Sequence, residues 1–379
     1  MKAPIVLGSF LFSFVMAVGN GRAQCHQLAE LNASTPEGQL LQQASQESDN
    51  AKKLVLLEQF AGQYPKNEAI GWVYEQMLDG YVKANDPDKA LAAGDKLDAI
   101  PPECVESAQQ TLKAAEMKKD PDLVKKWSAK TAELAQKVMA SPQPKEEDQV
   151  ENWKARVDYA KQVNTYTEYA LYAMALQTPD PKKQAELLEA LQQRNPKSEY
   201  LAKATGVMFV AYQKAGANDK ALALAQQAFN AGQASEDMLL VLADDSLKKK
   251  DSEKIHTYTA KLVEMTNAAP KPEGVADADW TKRKNTILGL AYYMSGKDYY
   301  NQSKFTQADK DLRQALPLVD ANVAMRTEVL YLLAYANYKM EKIQDAANFY
   351  KQCAAVKSPY QALATKNLTA IRAQYHGIK

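Results

Sequence analysis

Few residues in this chain have the types and spacing that chemistry at a fixed site requires. The three histidines, His26, His256 and His376, stand too far apart in sequence to form a local pair of metal ligands. The cysteines form no Cys-x-x-Cys motif. The sequence has neither a glycine-rich phosphate loop nor a Gly-x-Ser-x-Gly elbow. We therefore predict no catalytic residue, no metal site and no cofactor.

The odd number of cysteines leaves at least one thiol outside any disulfide within the chain. Cys25 lies in the N-terminal tail, and Cys104 follows Pro101-Pro102 near the start of a helix. Because the tail could reach back to Cys104, the sequence is compatible with a Cys25–Cys104 disulfide as well as with free thiols.

Two enzyme classes built on helical superhelices offer a catalytic alternative. Lytic transglycosylases add a lysozyme-like domain with a catalytic Glu-Ser motif. The Glu47-Ser48 and Glu106-Ser107 pairs both fall inside predicted helix pairs, with no room for such a domain. Toroidal polysaccharide lyases use His, Tyr and Arg chemistry that has no evident counterpart here. The sequence therefore favours a protein that is not an enzyme.

The first 23 residues have the pattern of a secretory signal. A basic start precedes an apolar run from Ile5 to Val18, which is too short to span a bilayer comfortably. Small residues then allow cleavage after Ala23, with cleavage after Gly19 as the alternative. A lipid anchor on Cys25 is disfavoured because no leucine stands where a bacterial lipobox needs one. We predict that residues 1–23 are removed and that the protein is periplasmic or secreted, without a membrane span.

Charge and composition narrow the class of protein further. The net charge is only +1, and Lys2 and Arg22 in the predicted signal contribute to it. A nucleic-acid-binding protein usually carries a strong basic excess, so we predict no nucleic acid partner. Glycine is scarce, at 15 of 379 residues, and strong helix formers are abundant. The chain is therefore predicted to be all-α.

Two segments 131 residues apart in the sequence share a skeleton. Tyr81 is followed by Asp88-Lys89-Ala90, and Tyr212 is followed by Asp219-Lys220-Ala221 at the same offsets. The same helix-start signal also recurs along the chain. In each case an N-cap acceptor precedes a proline that is suited to the first helical position. These starts are Thr35-Pro36, Asp86-Pro87, Asp120-Pro121 and Asp180-Pro181.

With its repeated skeleton and recurring helix starts, the chain resembles the tetratricopeptide repeat (TPR) family, whose 34-residue unit is a pair of antiparallel helices, A and B. The family order of Leu-Ala and Tyr in helix A is found at Leu333-Ala334 and Tyr338. The helix B order continues through Ala346, Tyr350 and Cys353. The resemblance implies an exported bacterial TPR-like protein, folded as a right-handed α-solenoid with a concave groove.

Upstream, two overlapping matches to the unit leave the register of residues 280–310 open. One runs through Gly296, Tyr299 and Tyr300, and the other uses Leu288-Gly289 one heptad earlier. We predict helix pairs over residues 24–140, a loop at 141–149 and further pairs over 150–379. A capping helix is expected to close the chain.

The resemblance also implies where a partner binds, namely on the inner face of the A helices. The residues at these positions are Tyr293, Tyr300, Asn301, Tyr331, Tyr335, Tyr338, Lys339, Lys203, Gln213 and Lys214. Tyrosine is a frequent interface anchor, but it also belongs to the packing pattern between repeats, so either role fits each of the tyrosines. The asparagine and basic clamp that some family members use for a carboxylate is not found.

The function expected from these features is that of a scaffold or adaptor. It would hold a peptide or protein surface in its groove, in a setting such as envelope or secretion assembly. The alternative is a glycan-binding or glycan-cleaving superhelix, which tyrosines beside paired carboxylates would favour. The sequence identifies neither the partner nor the oligomeric state.

Overall fold

The structure is a computed structural model that describes residues 25–28 and 33–375. The predicted signal at residues 1–23 and His376 lie outside the described residues. The described residues form 17 α-helices and no β-strand. The chain divides into two compact units between Ala202 and Lys203.

In the first unit the helices are α1 (Pro36–Gln46), α2 (Asn50–Gln63), α3 (Ile70–Lys83), α4 (Pro87–Asp98), α5 (Val105–Lys118), α6 (Pro121–Met139), α7 (Glu147–Gln177) and α8 (Pro181–Arg194). The division into units falls within α9 (Glu199–Lys214). In the second unit they are α10 (Asn218–Asn230), α11 (Glu236–Lys249), α12 (Ser252–Ala268), α13 (Asp277–Asn301), α14 (Phe305–Ala315), α15 (Val323–Lys339), α16 (Ile343–Ala354) and α17 (Gln361–Gln374).

Consecutive helices pack against each other within each unit. Short turns join α1 to α2, α3 to α4 and α15 to α16, which makes the members of each pair antiparallel neighbours. We call the odd-numbered helices A helices and the even-numbered ones B helices. A helices of successive pairs also touch, as α3, α5 and α7 do in the first unit and α11, α13 and α15 in the second. Each unit is therefore an all-α stack of helix pairs with a TPR-like fold.

The helix starts predicted at the Asp-Pro and Thr-Pro steps are confirmed. The side chain of Asp86 accepts a hydrogen bond from the backbone N–H of Lys89, and Asp120 and Asp180 cap α6 and α8 in the same way. Thr35 caps α1 through the N–H of Gly38. Each cap satisfies amide groups that have no partner inside the helix, so these residues fix where the B helices α4, α6 and α8 begin.

The repeated skeleton of the sequence produces the same packing twice. Tyr81 and Tyr212 are both buried near the ends of A helices. The ammonium group of Lys89 lies 5.3 Å from the ring centroid of Tyr81, and that of Lys220 lies 5.7 Å from the ring centroid of Tyr212. The Asp-Lys-Ala segment thus begins the B helix and places a lysine against the tyrosine of the preceding A helix.

The long helix α13 contains both overlapping register matches. A Cβ at Gly296 would lie 2.7 Å from Cγ of Leu312 in α14, whereas one at Gly289 would lie 3.1 Å from Val319 beyond α14. Gly296 is therefore the point of closest approach between α13 and α14. One continuous helix of 25 residues uses both glycines, which is why two registers fit the sequence.

The predicted loop and the division into units fall at different places. Residues 140–146 are not helical, but Trp153 of α7 donates hydrogen bonds to the carbonyl and hydroxyl oxygens of Ser141, at 3.3 and 3.1 Å. Since α7 also packs along α6, the loop connects two neighbours inside the first unit. The change of unit comes later, between Ala202 and Lys203.

The cysteines fall into two environments. Cys25 and Cys104 form a disulfide, with their Cα atoms 6.2 Å apart. Cys353 is a fully buried free thiol in α16, as its place in the repeat predicts, and burial raises its pKa to about 11. Its sulfur lies 3.4 Å from the carbonyl oxygen of Thr327 in α15.

Candidate functional site

Five aromatic rings from α13, α14, α15 and the start of α17 lie in two ring-contact groups of the second unit, and α15 contributes a tyrosine to each group. We call this set, Tyr300, Phe305, Tyr331, Tyr335 and Tyr360, the aromatic cluster. The ring of Tyr300 lies 5.6 Å from that of Tyr335 and 6.1 Å from that of Phe305, both edge-on. Tyr331 lies 5.1 Å from Tyr360. All five side chains are half-buried, so the cluster joins neighbouring helices and still presents ring surface to solvent.

Tyr300 and Tyr360 of this cluster are neutral at physiological pH. Burial raises the pKa of Tyr300 to about 12, and the nearby hydroxyls of Tyr331 and Tyr335 add to the shift. Burial also raises the pKa of Tyr360, with Glu328 contributing. Neutral tyrosines offer flat apolar rings together with hydroxyl groups that donate and accept hydrogen bonds. These groups suit noncovalent contacts.

A polar triad lies beside the cluster, between α13 and α15. The hydroxyl of Tyr293 donates a hydrogen bond to Glu328 at 2.8 Å and accepts one from Lys297 at 2.9 Å. Lys297 also forms an ion pair with Glu328 at 2.7 Å. Burial lowers the pKa of Lys297, but the hydrogen bonds to Glu328 and Tyr293 outweigh it and raise that pKa. The triad connects two A helices.

Of the predicted contact residues, Tyr300, Tyr331 and Tyr335 come together in the aromatic cluster. Lys339 is exposed, and its ammonium group lies 5.4 Å from the ring centroid of Tyr335. Tyr293 is buried in the triad, which gives it the packing role that its place in the repeat also allowed.

The remaining predicted contact residues have other surroundings. Asn301 is exposed at the end of α13, and Tyr338 is half-buried near the end of α15. Lys203, Gln213 and Lys214 are exposed on α9, which contributes no ring to the aromatic cluster. The structure therefore does not join them to the cluster.

A ladder of polar contacts between α5 and α7 of the first unit was not among the predicted features. Tyr159 donates a hydrogen bond to Gln109 at 2.8 Å, and Tyr166 donates one to the carboxylate of Glu116. Burial raises the pKa of Glu116 even though the hydroxyl of Tyr166 lowers it. The two residues on each helix are seven apart and so share a helix face. This spacing of seven residues was the one feature of the sequence that could have indicated these contacts.

Further rings continue from this ladder towards α9. The exposed ring of Tyr169 lies 5.7 Å from that of Tyr200, which stacks on Tyr172 at the same distance. Tyr166 lies 6.3 Å from Tyr169. Aromatic rings therefore stand beside the carboxylate of Glu116 on the A helices of the first unit.

A cavity of about 250 Å³ lies apart from the aromatic cluster, between α10, α11 and α12. Its polar lining is paired internally. Asp245 forms an ion pair with Lys249 at 2.8 Å, and Tyr258 donates a hydrogen bond to Gln226 at 2.7 Å. Among the described residues, one group has the ligand types for a metal ion, namely Cys25, Glu75 and Cys104, and both of its sulfurs are in the disulfide.

No protein-family model and no curated protein matches the chain. Among solved structures, it is similar to the TPR domain of P58(IPK), at 12% identity over 90% of this chain and 100% of that one, with a TM-score of 0.30. Yeast Tom70 is similar at 10% identity over 92% of this chain and 66% of its own, with a TM-score of 0.35. Each unit is TPR-like in its antiparallel helix pairs, its helix caps and its glycine contacts between helices.

None of the helices in the described part of the chain combines the length and the apolar character that a bilayer crossing requires.

Proposed function

We propose that the protein is a non-catalytic interaction scaffold that binds an extended peptide or a protein surface on the A helices of its second unit. The observation that carries this proposal is the aromatic cluster with Lys339 at its edge. Half-buried tyrosines are held rigid by their neighbours and still offer ring surface, which are the properties of interface anchors. A TPR-like stack provides such a surface without any cofactor.

The surroundings of the cluster favour a peptide over a charged small molecule. Lys297 and Glu328 neutralise each other beside it. What remains for a partner is apolar ring area, tyrosine hydroxyls and the ammonium group of Lys339. Backbone amides and apolar side chains of an extended peptide match these groups. We expect such a partner to contribute an apolar or aromatic side chain and an acidic group near Lys339.

We further propose that the protein acts outside the cytoplasm. The signal-like pattern of residues 1–23 supports this, as does the Cys25–Cys104 disulfide, because disulfides persist in oxidising compartments. Mass spectrometry of the N-terminus of protein taken from its native cells tests the proposal. A mature chain that begins at Gln24 would support it, and a retained Met1 would contradict it.

Site-specific photocrosslinking from the cluster tests the binding proposal. A photoreactive amino acid would replace Tyr335 in one protein and Lys351, an exposed residue of the B helix α16, in a matched control. Both would be crosslinked in the native extract, and the products identified by mass spectrometry. We expect one specific adduct from position 335 and none from position 351.

The same adduct must then depend on the chemistry of the cluster. Tyr331→Ala and Lys339→Glu should each reduce binding of the identified partner at least tenfold, with helicity and melting temperature close to those of the parent. An adduct that forms equally from both positions, or binding that survives both substitutions, would contradict the proposal. An exclusively glycan adduct from position 335 would show that the aromatic cluster binds glycan and would contradict the proposed protein partner.

A glycan-binding or glycan-cleaving role of the first unit is the second candidate. It is favoured by the exposed ring of Tyr169 and the carboxylate of Glu116 held by Tyr166, since aromatic rings stack on sugars and carboxylates bind sugar hydroxyls. Pull-down on insoluble cell-wall glycan, with the parent and Tyr169→Ala, tests it. Retention of the parent and loss of the variant would support it, and analysis of released sugars would distinguish cleavage from binding.

A further inference from the structure

The N-terminal arm, residues 25–28, is fastened across α3 and α5 of the first unit. The disulfide joins Cys25 to Cys104, which is the N-cap residue of α5. The next residue, His26, uses its ring Nδ1 at 2.9 Å and its backbone N–H at 3.3 Å to contact the same carboxylate oxygen of Glu75 in α3. A covalent bond and two polar contacts thus hold two consecutive residues of the arm.

The two helices are shaped to receive this arm. A Cβ at Gly71 of α3 would lie 2.8 Å from Cγ of the His26 ring, so only glycine leaves room for the imidazole. From α5, the hydroxyl of Ser107 donates a hydrogen bond to the Glu75 oxygen that His26 contacts, at 3.3 Å. Contacts from His26 and from α5 therefore converge on one carboxylate oxygen of Glu75.

We propose that the Cys25–Cys104 bond is a thiol–disulfide exchange site, and that its reduction by a dithiol releases the arm from α3 and α5. The arm is then a latch that covers Gly71, Glu75 and Ser107 in the oxidised protein and uncovers them in the reduced one. This latch lies in the first unit, whereas the aromatic cluster lies in the second.

The two sulfurs differ in the way that exchange requires. Cys25 is half-buried, whereas Cys104 is only 7% exposed, so an incoming thiolate reaches the sulfur of Cys25 first. That thiolate forms a mixed disulfide with Cys25 and expels the sulfur of Cys104 as a thiolate. The second thiol of the reductant then displaces Cys25, so the dithiol leaves as a disulfide and the protein gains two thiols.

The position of Cys104 makes it a good leaving group. Its sulfur belongs to the N-cap residue of α5, and a helix N-terminus stabilises a thiolate, which speeds departure of that sulfur. A carboxylate oxygen of Glu75 within 4.8 Å of both sulfurs opposes this effect. The hydrogen bonds that Glu75 accepts from His26 and Ser107 offset part of its charge.

Without the covalent bond, the arm does not remain in place. Once the bond is reduced, the conformational entropy of four backbone residues opposes the ordered arm. Two polar contacts of His26 with a single oxygen of Glu75, at 2.9 and 3.3 Å, then oppose its release. We expect release because both contacts share one acceptor atom. Helices α1 to α8 pack on one another and keep their fold when the arm leaves.

Hydrogen exchange of the full chain before and after treatment with dithiothreitol tests the proposal. We expect exchange in peptides covering residues 25–28 to accelerate at least 100-fold on reduction, with faster exchange at the start of α3 and with unchanged helicity. Cys353→Ser, which removes the unrelated buried thiol, should behave like the parent. An arm that stays protected, a bond that resists excess dithiol in the native protein, or cooperative loss of protection in all of α1 to α8 would each overturn the proposal.

A second pair of variants leaves both cysteines in place. Gly71→Ala pushes on the His26 ring and should speed reduction by dithiothreitol at least fivefold. Gly62→Ala in α2, where an added Cβ meets nothing within 4 Å, is the matched control and should leave the rate unchanged. Equal rates in the two variants would show that the arm is not held as described and would overturn the latch.

Discussion

Leu312 of α14 lies against Gly296 of α13 so closely that a methyl group at residue 296 would come within 2.7 Å of Leu312 Cγ and 3.1 Å of its backbone nitrogen. Gly296→Ala must therefore push the two helices apart. Overpacking of this kind costs about 1–3 kcal/mol, against a gain of up to about 1 kcal/mol from the better helix propensity of alanine. We expect a net loss of about 1 kcal/mol in the unfolding free energy of the second unit.

The protein carries its own probe for this measurement. Cys353 is fully buried in the second unit and is the one free thiol when the disulfide is intact, so its alkylation rate in urea reports opening of that unit. Gly206→Ala in α9 is the control, because nothing lies within 4 Å of its added Cβ, and it should stabilise the unit by up to about 1 kcal/mol. Equal effects of the two substitutions would contradict the close approach.

The helices of this fold could be predicted because their signals are local. Asp86 and Asp120 cap helices within a few residues, and the Tyr81 skeleton recurs at Tyr212. The contact of Gly296 with Leu312 could not be distinguished from the overlapping match at Gly289, because both glycines lie on one continuous helix.

Less of the candidate site could be predicted from the sequence, because its contacts join residues that are far apart in the chain. Tyr166 and Glu116 are 50 residues apart, and nothing near either one identifies the other. The repeat pattern correctly places Tyr300, Tyr331 and Tyr335 on A helices. It could not tell which tyrosines become buried, and Tyr293 is buried because Lys297 and Glu328 enclose its hydroxyl.

Several tyrosines of the second unit should titrate late, and Tyr293 and Tyr300 are two of them. The pKa of Tyr293 and that of Tyr300 are each raised by burial to about 12, against about 10 in an unfolded chain. A raised pKa contributes stability that is complete below the unfolded value and is lost as pH rises through the folded value. The second unit should therefore lose stability between about pH 10 and about pH 12.

Thermal melting followed by circular dichroism across this window checks the prediction. Tyr293→Phe should flatten the alkaline fall in melting temperature, because one of the late-titrating hydroxyls is gone. The comparison is best made with Cys353→Ser in both proteins, since the pKa of that thiol is also raised, to about 11, by burial. An alkaline profile identical to that of the parent would contradict the role of Tyr293.

Neutralising Glu116 should stabilise the first unit. Burial raises the pKa of this carboxyl above its unfolded value of about 4.3, so its contribution to stability is complete below that pH and is lost as pH rises through the folded pKa. Glu116→Gln keeps an oxygen for the hydroxyl of Tyr166 and removes the buried charge. We expect a gain of about 1 kcal/mol at pH 7 that shrinks to nothing near pH 4.

Tyr166→Phe should have the opposite sign. It leaves the carboxylate of Glu116 without its hydroxyl donor, at an expected cost of about 1–3 kcal/mol at neutral pH. Tryptophan fluorescence in urea measures both variants, because three of the four tryptophans, Trp72, Trp127 and Trp153, belong to the first unit. Destabilisation by Glu116→Gln at pH 7 would show that the charge is stabilised where it lies.

Asn337 is the centre of a buried polar network in the second unit. Its amide nitrogen donates hydrogen bonds to Asp309 at 2.6 Å and to the carbonyl of Leu333 at 2.9 Å, and its oxygen accepts one from Arg313 at 3.3 Å. Both Asn337 and Asp309 are buried. Asn337→Ala leaves Asp309 with fewer donors and should cost about 2–4 kcal/mol, measured by the alkylation of Cys353 in urea.

Asn337→Asp separates the loss of a donor from the loss of packing. It keeps the shape of the side chain but places a second carboxylate against Asp309. The two carboxylates repel each other unless one of them is protonated. The pKa of the introduced carboxyl is then raised, and the second unit of this variant should recover stability as pH falls from 7 towards 5. Asn348→Ala, at an exposed position of α16, should show neither effect. An Asn337→Asp variant as stable as the parent at pH 7 would mean that Arg313 alone satisfies both charges.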